Sequence, residues 1–227
     1  MNRSFSLPFL IMGVVFCVCL ICSNLLEGKM ISLGGITATA GLIVFPISYI
    51  INDCIAEVWG YRKARLIIWL GFLMNLMAII FIQIAIILPS ALFWDGQKSF
   101  ETVFSSTPRI LLASFIAFLV GSFLNAYVMS KMKISSKGKH FSLRAITSTV
   151  VGESADSLLF FPIAFGGVVP VNELLILIVT QACLKTAYEI VILPVTIRVV
   201  RFVKKIDGSD VYDQKVSYNI FKIKELQ

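Results

Sequence analysis

Six runs of apolar residues, each about as long as a membrane crossing, alternate along this chain with short polar segments. They are Leu7 to Leu25, Thr37 to Ala56, Leu66 to Leu88, Ile110 to Met129, the stretch Ser148 to Pro162 extended to Phe165, and Glu173 to Val200. An α-helix rises about 1.5 Å per residue, so roughly 20 such residues cross a hydrocarbon core about 30 Å thick. The first run is longer than the apolar part of a signal peptide and no small-x-small cleavage site follows it, so it is read as a span. The pattern predicts an all-α integral membrane protein, with six transmembrane helices in residues 1–200 and a soluble tail in residues 201–227. Pro46 falls inside the second run and predicts a kink there. Ala113, Ala117 and Gly121 step by four along the fourth run, which predicts a close packing seam, either within the chain or between two copies.

The fifth run breaks the apolar pattern. Glu153 and Asp156 sit near its centre, where each ionisable side chain costs about 2.5–3.5 kcal/mol. Their i, i+3 spacing puts both carboxyls on one helix face, which must look into protein or water. Counting depth along the spans brings Lys185 of the sixth run to the level of Asp156, with Glu189 one turn below it. Asp53 and Glu57 share a face at the end of the second run, near Arg62 and Arg65, and Asn75 and Gln83 are the strongly polar interior residues of the third. One lysine facing several carboxyls leaves acceptors for a ligand or a proton. Phe45, Tyr49, Phe160 and Phe161 flank them, and aromatics beside paired acceptors suit a planar ring that donates hydrogen bonds.

Composition agrees with a membrane protein and excludes other classes. The 227 residues are 58% hydrophobic with a mean hydropathy of +0.89, beyond the usual range of soluble domains. The net charge of +7 does not point to nucleic acid, because the basic residues are sorted by loop: sixteen of the 20 fall on the side of the N-terminus, and only Lys29, Lys98 and Arg109 fall on the other. That asymmetry predicts cytoplasmic N- and C-termini. The five cysteines lie in or beside apolar runs and form no disulfide framework, so Cys19-x-x-Cys22 is read as packing. His140 is the single histidine, which excludes a histidine-pair metal site, and no P-loop is present. No metal or other cofactor is expected.

Several polar positions carry a resemblance. Phe45-Pro46, Ser48-Tyr49, Asp53, Glu57, Gly60-Tyr61 and Ala64-Arg65 resemble the signature of the queuosine-precursor transporter family, also called the vitamin uptake transporter family. Arg144, Gly152-Glu153, Asp156-Ser157, Lys185, Glu189 and Pro194 continue the likeness; Asn24 with Lys29 matches its start, and Asp210 to Asp213 with Asn219 to Phe221 its end.

The resemblance implies a bacterial inner-membrane importer of 7-deazaguanine bases, the cyano or aminomethyl precursor or queuine, used for tRNA queuosine. A guanine-like edge offers a ring N–H and an exocyclic amine side by side, which one carboxylate accepts together. Glu153 or Asp156 is expected to read that edge, Lys185 or Asn24 to meet the carbonyl, and Tyr49 or Phe160 to stack, with Glu189 beside them. Asp53, Glu57, Arg65 and Arg144 are expected at the cytoplasmic mouth, as a salt-bridge gate or as loop anchors. The alternative is a substrate-binding component for another vitamin or nucleobase, working with a separate ATPase module. An intramembrane enzyme is disfavoured, since the carboxyls have no nucleophile or histidine nearby. A scaffold subunit would instead depend on the Ala113, Ala117, Gly121 seam, as would a homodimer.

Overall fold

The structure is a computed structural model that describes residues 6–26, 29–33, 36–104, 108–214 and 216–222. Its elements in order are α1 (Leu7–Leu26), a short antiparallel hairpin of β1 (Met30–Leu33) and β2 (Ile36–Thr39), a 3-10 turn at Ala40–Ile43, α2 (Phe45–Ile87), α3 (Gln97–Phe104), α4 (Pro108–Ser135), α5 (Phe141–Phe165) and α6 (Val171–Asp207). Helices dominate, as expected. The hairpin was not expected: Thr37 and its neighbours, placed by hydropathy at the start of the second span, are extended. Ile31, Ile36, Thr37 and Thr39 are β-branched, and an apolar run this short reads equally as strand or helix. Pro46 consequently occupies the first turn of α2 rather than its middle. A proline there removes an N–H that has no helical partner in any case, so the expected kink at Pro46 is absent.

The bend lies instead at Gly60, where φ is 80° and ψ is 175°. Before it, Tyr49 lies beside Gly121, Asp53 accepts a hydrogen bond from Asn125, and Glu57 approaches Lys133, so α2 and α4 run the same way. After it, Trp69 meets Phe123 and Phe72 meets Phe115, so they run oppositely. The chain therefore reverses at Gly60, and the second and third apolar runs are the two arms of α2. With both arms counted, the described residues form six long helical segments. Four segments among the described residues are long and apolar enough to cross a membrane: Leu7–Leu26, Ala40–Ile87, Leu112–Ser135 and Val171–Asp207. The second of these contains the elbow. The 25-residue α5 is long enough, but its buried Arg144, Glu153 and Asp156 lower its hydropathy.

Burial is inverted relative to a water-soluble domain. Asp53, Glu57, Arg65, Lys133, Arg144, Glu153 and Glu189 are buried, whereas Leu10, Val14, Val18, Phe81, Ile84, Val191 and Val195 face outward. Such a surface suits a multi-pass membrane protein. Inside, Phe16, Leu20, Ile55, Ile68, Phe118 and Met129 join α1, both arms of α2 and α4. Ala113, Ala117 and Gly121 are buried within the single chain. A Cβ on Gly121 would lie 2.9 Å from the carbonyl oxygen of Gly152, so α4 and α5 cross backbone to backbone there.

The elbow is held by the C-terminal tail. A helix broken at Gly60 orphans backbone groups on both sides of it. The carbonyl of Val58 accepts from the N–H of Val211 (3.0 Å), and the N–H of Tyr61 donates to Asp213 Oδ2 (2.8 Å). Farther along, Arg65 donates to the carbonyls of Ser217 and Asn219, and the Trp69 indole donates to that of Ile220. Helix α6 runs past residue 200 to Asp207, whose carboxylate accepts from the Trp59 indole at 2.7 Å. The start of α1 reaches the same end, with Phe9 edge-on to Trp59.

Gly60 has a backbone conformation available essentially to glycine alone, and a Cβ there would lie 2.6 Å from Asp213 Oδ1. Gly60→Ala should cost about 1–3 kcal/mol. A lower thermal midpoint and faster tail proteolysis in detergent would register it; a midpoint equal to wild type would contradict the elbow geometry.

Candidate functional site

Polar side chains inside the bundle fall at three levels. The outermost is built by α5 and α6. Glu153 and Asp156 share a face of α5 and both reach Lys185 of α6. Lys185 Nζ donates to Asp156 Oδ2 at 3.0 Å and lies 3.0 Å from Glu153 Oε2, the second contact being an ion pair without hydrogen-bond alignment. The ammonium also sits 3.9 Å from the centroid of the Phe45 ring, a cation–π contact. Glu153 is sealed, with its side chain 1% exposed, whereas Asp156 and Lys185 keep 9% and 13%.

That partial exposure arises because Asp156 and Lys185 form part of the wall of a cleft. Asn24, Phe45, Asn75, Gln83, Ser114, Phe160, Phe161 and Gln181 line it as well, with apolar residues of α1 and α2. The cleft has ≈ 1040 Å³ of empty space, counted out to open solvent. Its lining comes from the end of α1, the start and late turns of α2, the first turns of α4, the last turns of α5 and the first half of α6. It therefore lies at the end of the bundle away from the elbow. Apolar walls with a few convergent polar groups are the usual make-up of a small-molecule site. Asn24 and Ser114 are joined across it by a 3.0 Å hydrogen bond.

One turn deeper lies a second level. Asp53 accepts from Asn125 Nδ2 at 2.6 Å and from Ser148 Oγ at 3.4 Å. The Glu189 carboxyl lies beside those of Asp53 and the Thr149 hydroxyl, and neither of its oxygens receives a hydrogen bond.

The third level, at the elbow end, centres on Glu57. Arg144 grips its carboxylate through both terminal nitrogens, Lys204 reaches Oε1 at 2.7 Å, and Lys133 lies 3.9 Å away while donating to the Glu57 backbone carbonyl. Asp210 of the tail joins Lys133 at 2.5 Å and Lys204 at 2.9 Å. Partial burial pushes the Asp210 carboxyl up, but the hydrogen bonds from Lys133 and Lys204 outweigh it and hold it below its ordinary value.

The residues singled out from sequence thus occupy different places. Asn24, Asp156, Phe160 and Lys185 line the cleft. Glu153 stands behind them, holding Lys185. Tyr49 is buried where α2 meets the Gly121–Gly152 crossing and does not line the cleft. Glu189 faces Asp53 rather than Lys185, its i−4 neighbour, because Lys185 extends the other way to α5. Glu57 and Arg144 pair directly. Arg65, expected at the mouth in a salt-bridge gate or as an anchor, binds tail carbonyls, since the second arm of α2 turns it toward residues 217–219. Gln181 and Ser114 were missed. Gln181 was legible as a carboxamide within an apolar run, the same signal that marked Asn75 and Gln83.

Comparison with known proteins adds an independent line. A family model described as "putative vitamin uptake transporter" matches residues 39–199. A "probable queuosine precursor transporter" of Bacillus subtilis is 31% identical over 176 residues, covering 77% of this chain and 76% of that one. The "queuosine precursor transporter" of Escherichia coli is 29% identical over 143 residues, 63% of this chain and 62% of that one. No solved structure matches the chain.

The Asp210 contacts predict a pH response. A carboxyl held below its unfolded value of about 3.9 stabilises the docked tail above that value and ceases to as pH falls through the lower folded one. Pepsin should therefore nick the tail only below about pH 4 in wild type. Asp210→Asn should raise tail cleavage by neutral proteases several-fold, and an equal rate would show that Asp210 does not hold the tail.

Proposed function

The chain belongs to the vitamin uptake transporter family, and on that premise we propose that it imports 7-deazaguanine-type queuosine precursors across a bacterial inner membrane. The observation that carries the reading is the Lys185 ammonium, held between Glu153 and Asp156 against the Phe45 ring in the wall of a largely apolar cleft. A deazaguanine needs an acceptor for its ring N–H and exocyclic amine, a donor for its carbonyl and an aromatic face. Asp156, Lys185 and Phe45 or Phe160 supply these in that order.

The doubled carboxylate has a role in this scheme. A buried ammonium left unpaired is strongly destabilising, so a lysine with one partner resists giving it up. Lys185 has two. When Asp156 turns to the base edge, Glu153 continues to neutralise Lys185, whose remaining N–H bonds are then directed at the ligand carbonyl. Bidentate acceptance by a carboxylate in a dry site is directional and charge-assisted. The carboxamides of Asn24, Asn75, Gln83 and Gln181 complete the polar rim, and the 7-substituent points away from the edge being read.

Six crossings follow if each arm of α2 and each remaining long helix spans the bilayer, with the basic elbow end in the cytoplasm. The cleft then faces the outside, and the Glu57 network with the docked tail closes the inside. Transport would exchange these two states, closing the cleft over the base and parting the network below it.

Cells unable to make the precursor, expressing this chain and fed each base in turn, should regain queuosine in tRNA. Asp156→Asn and Lys185→Met at equal expression should lower uptake about 10–100-fold, the loss of one charge-assisted interaction of about 1.5–3 kcal/mol. Rescue by no base, or unchanged uptake in both variants, would refute the assignment.

A further inference from the structure

Asp53 and Glu189 form a buried carboxyl pair that the base-binding scheme does not use. Glu189 and Asp53 are 1% and 0% exposed, and their carboxyls are neighbours inside the bundle. Asp53 is served by Asn125 and Ser148, but both oxygens of Glu189 lack a donor. Thr149, 1% exposed and on the adjacent face of α5, has its hydroxyl against Glu189 and makes no hydrogen bond in this arrangement. The missing element is a proton. Two neighbouring carboxylates cannot donate to one another and are costly to keep ionised together inside a bundle, whereas a single shared proton allows a hydrogen bond between them.

The surrounding charges do not substitute for that proton. From α5, Arg144 points to Glu57, and Glu153 is held by Lys185. From α6, Lys185 is directed at α5 and Lys204 at Glu57 and Asp210. From α4, Lys133 serves Glu57 and Asp210, and α2 adds Tyr49 and Cys54, neither of them a cation. Among the described residues no ion pair includes Asp53 or Glu189.

We infer that Asp53 and Glu189 together bind one proton that enters with the substrate, making the chain a proton-coupled importer. The location suits coupling. Glu189 is one turn from Lys185 on α6, and Asp53 is one turn from Glu57 on α2, so the pair lies between the cleft and the network that closes the elbow end. The proton arrives from the cleft side and is shared by the two carboxyls. It leaves to water on the elbow side once the Glu57 network parts, and the pair is reloaded after the cleft reopens.

This rests on the base-import reading, and two measurements keep the two separable. The first needs no base. The infrared C=O stretch of a protonated carboxylic acid is recorded on reconstituted protein at neutral pH, for wild type, Glu189→Gln and Asp53→Asn. A protonated-acid band in wild type that is lost in both variants supports the shared site. Absence of the band, or its persistence in both variants, overturns it. The second loads proteoliposomes with a pH-sensitive dye and adds 7-cyano-7-deazaguanine. Wild type should acidify the lumen, and Glu189→Gln should lose at least ten-fold of that proton entry per base taken up. Equal proton entry per base in the variant, or accumulation that follows a sodium gradient and ignores the pH gradient, overturns the coupling. If no base moves but the infrared band behaves as expected, the import reading fails and the proton site stands.

Discussion

A carboxylate sealed at the end of the bundle governs this structure. Glu57 sits on the first arm of α2 just before the elbow and is met by cations from α4, α5 and α6. Removing any buried ion from water costs several kcal/mol, so such a group is tolerated only where partners converge on it. The convergence has a mechanical consequence. Helices from four parts of the chain are pinned together at one end, and Asp210 ties the tail into the same cluster. Among the described residues no such cluster of ions joins them at the other end, where the walls are carboxamides, aromatics and a lysine shared between two acids. One end of the bundle is therefore closed and the other carries the cleft.

The elbow and the tail depend on each other. Gly60 reverses the chain and leaves backbone groups that a continuous helix would have satisfied; Val211 and Asp213 satisfy them. The tail docks through hydrogen bonds to backbone and from Arg65, and it also covers apolar surface, with Val216, Tyr218 and Ile220 packed on the core and Phe221 against Trp69. Tyr218 adds contacts to Tyr61 and Tyr127, and Lys131 lies 4.4 Å from its ring centroid, so the strap is fixed along its length.

Much of this was legible because charge inside an apolar run is costly and therefore conspicuous. Asp156 and Lys185 were matched by depth alone, and the structure joins them, with Glu153 of the same helix face on the same ammonium. Glu57 was visible as a costly residue and Arg144 was placed with it at the mouth, but Lys133 and Lys204 were not singled out, because they are near it only after folding. Hydropathy also misjudged Pro46, seeing a proline within a run without knowing where the helix begins. A reversal between the second and third runs was expected; what hydropathy could not show is that it is made at Gly60, with helix on both sides. The hairpin was hidden for a related reason, since four-residue apolar strands and helix starts look alike. Gln181 was simply outweighed by its charged neighbours.

The three polar levels recur at one-turn intervals on more than one helix: Asp53 and Glu57 on α2, Lys185 and Glu189 on α6, Thr149 and Glu153 on α5. A ladder of this kind differs from a set of independent structural ion pairs in its charge accounting. The Glu57 level gathers three cations for two carboxylates, the Lys185 level one cation for two, and the Asp53 level none for two. Structural pairing alone would balance each level locally, because unbalanced charge is costly wherever it is buried. The imbalance instead runs along the bundle, from excess positive charge at the elbow to excess acid in the interior. A proton on the middle level and a donor-rich base at the upper one would each relieve that excess. In the proposed scheme the two ligands are thus stabilised by one charge distribution, which is a physical basis for their moving together.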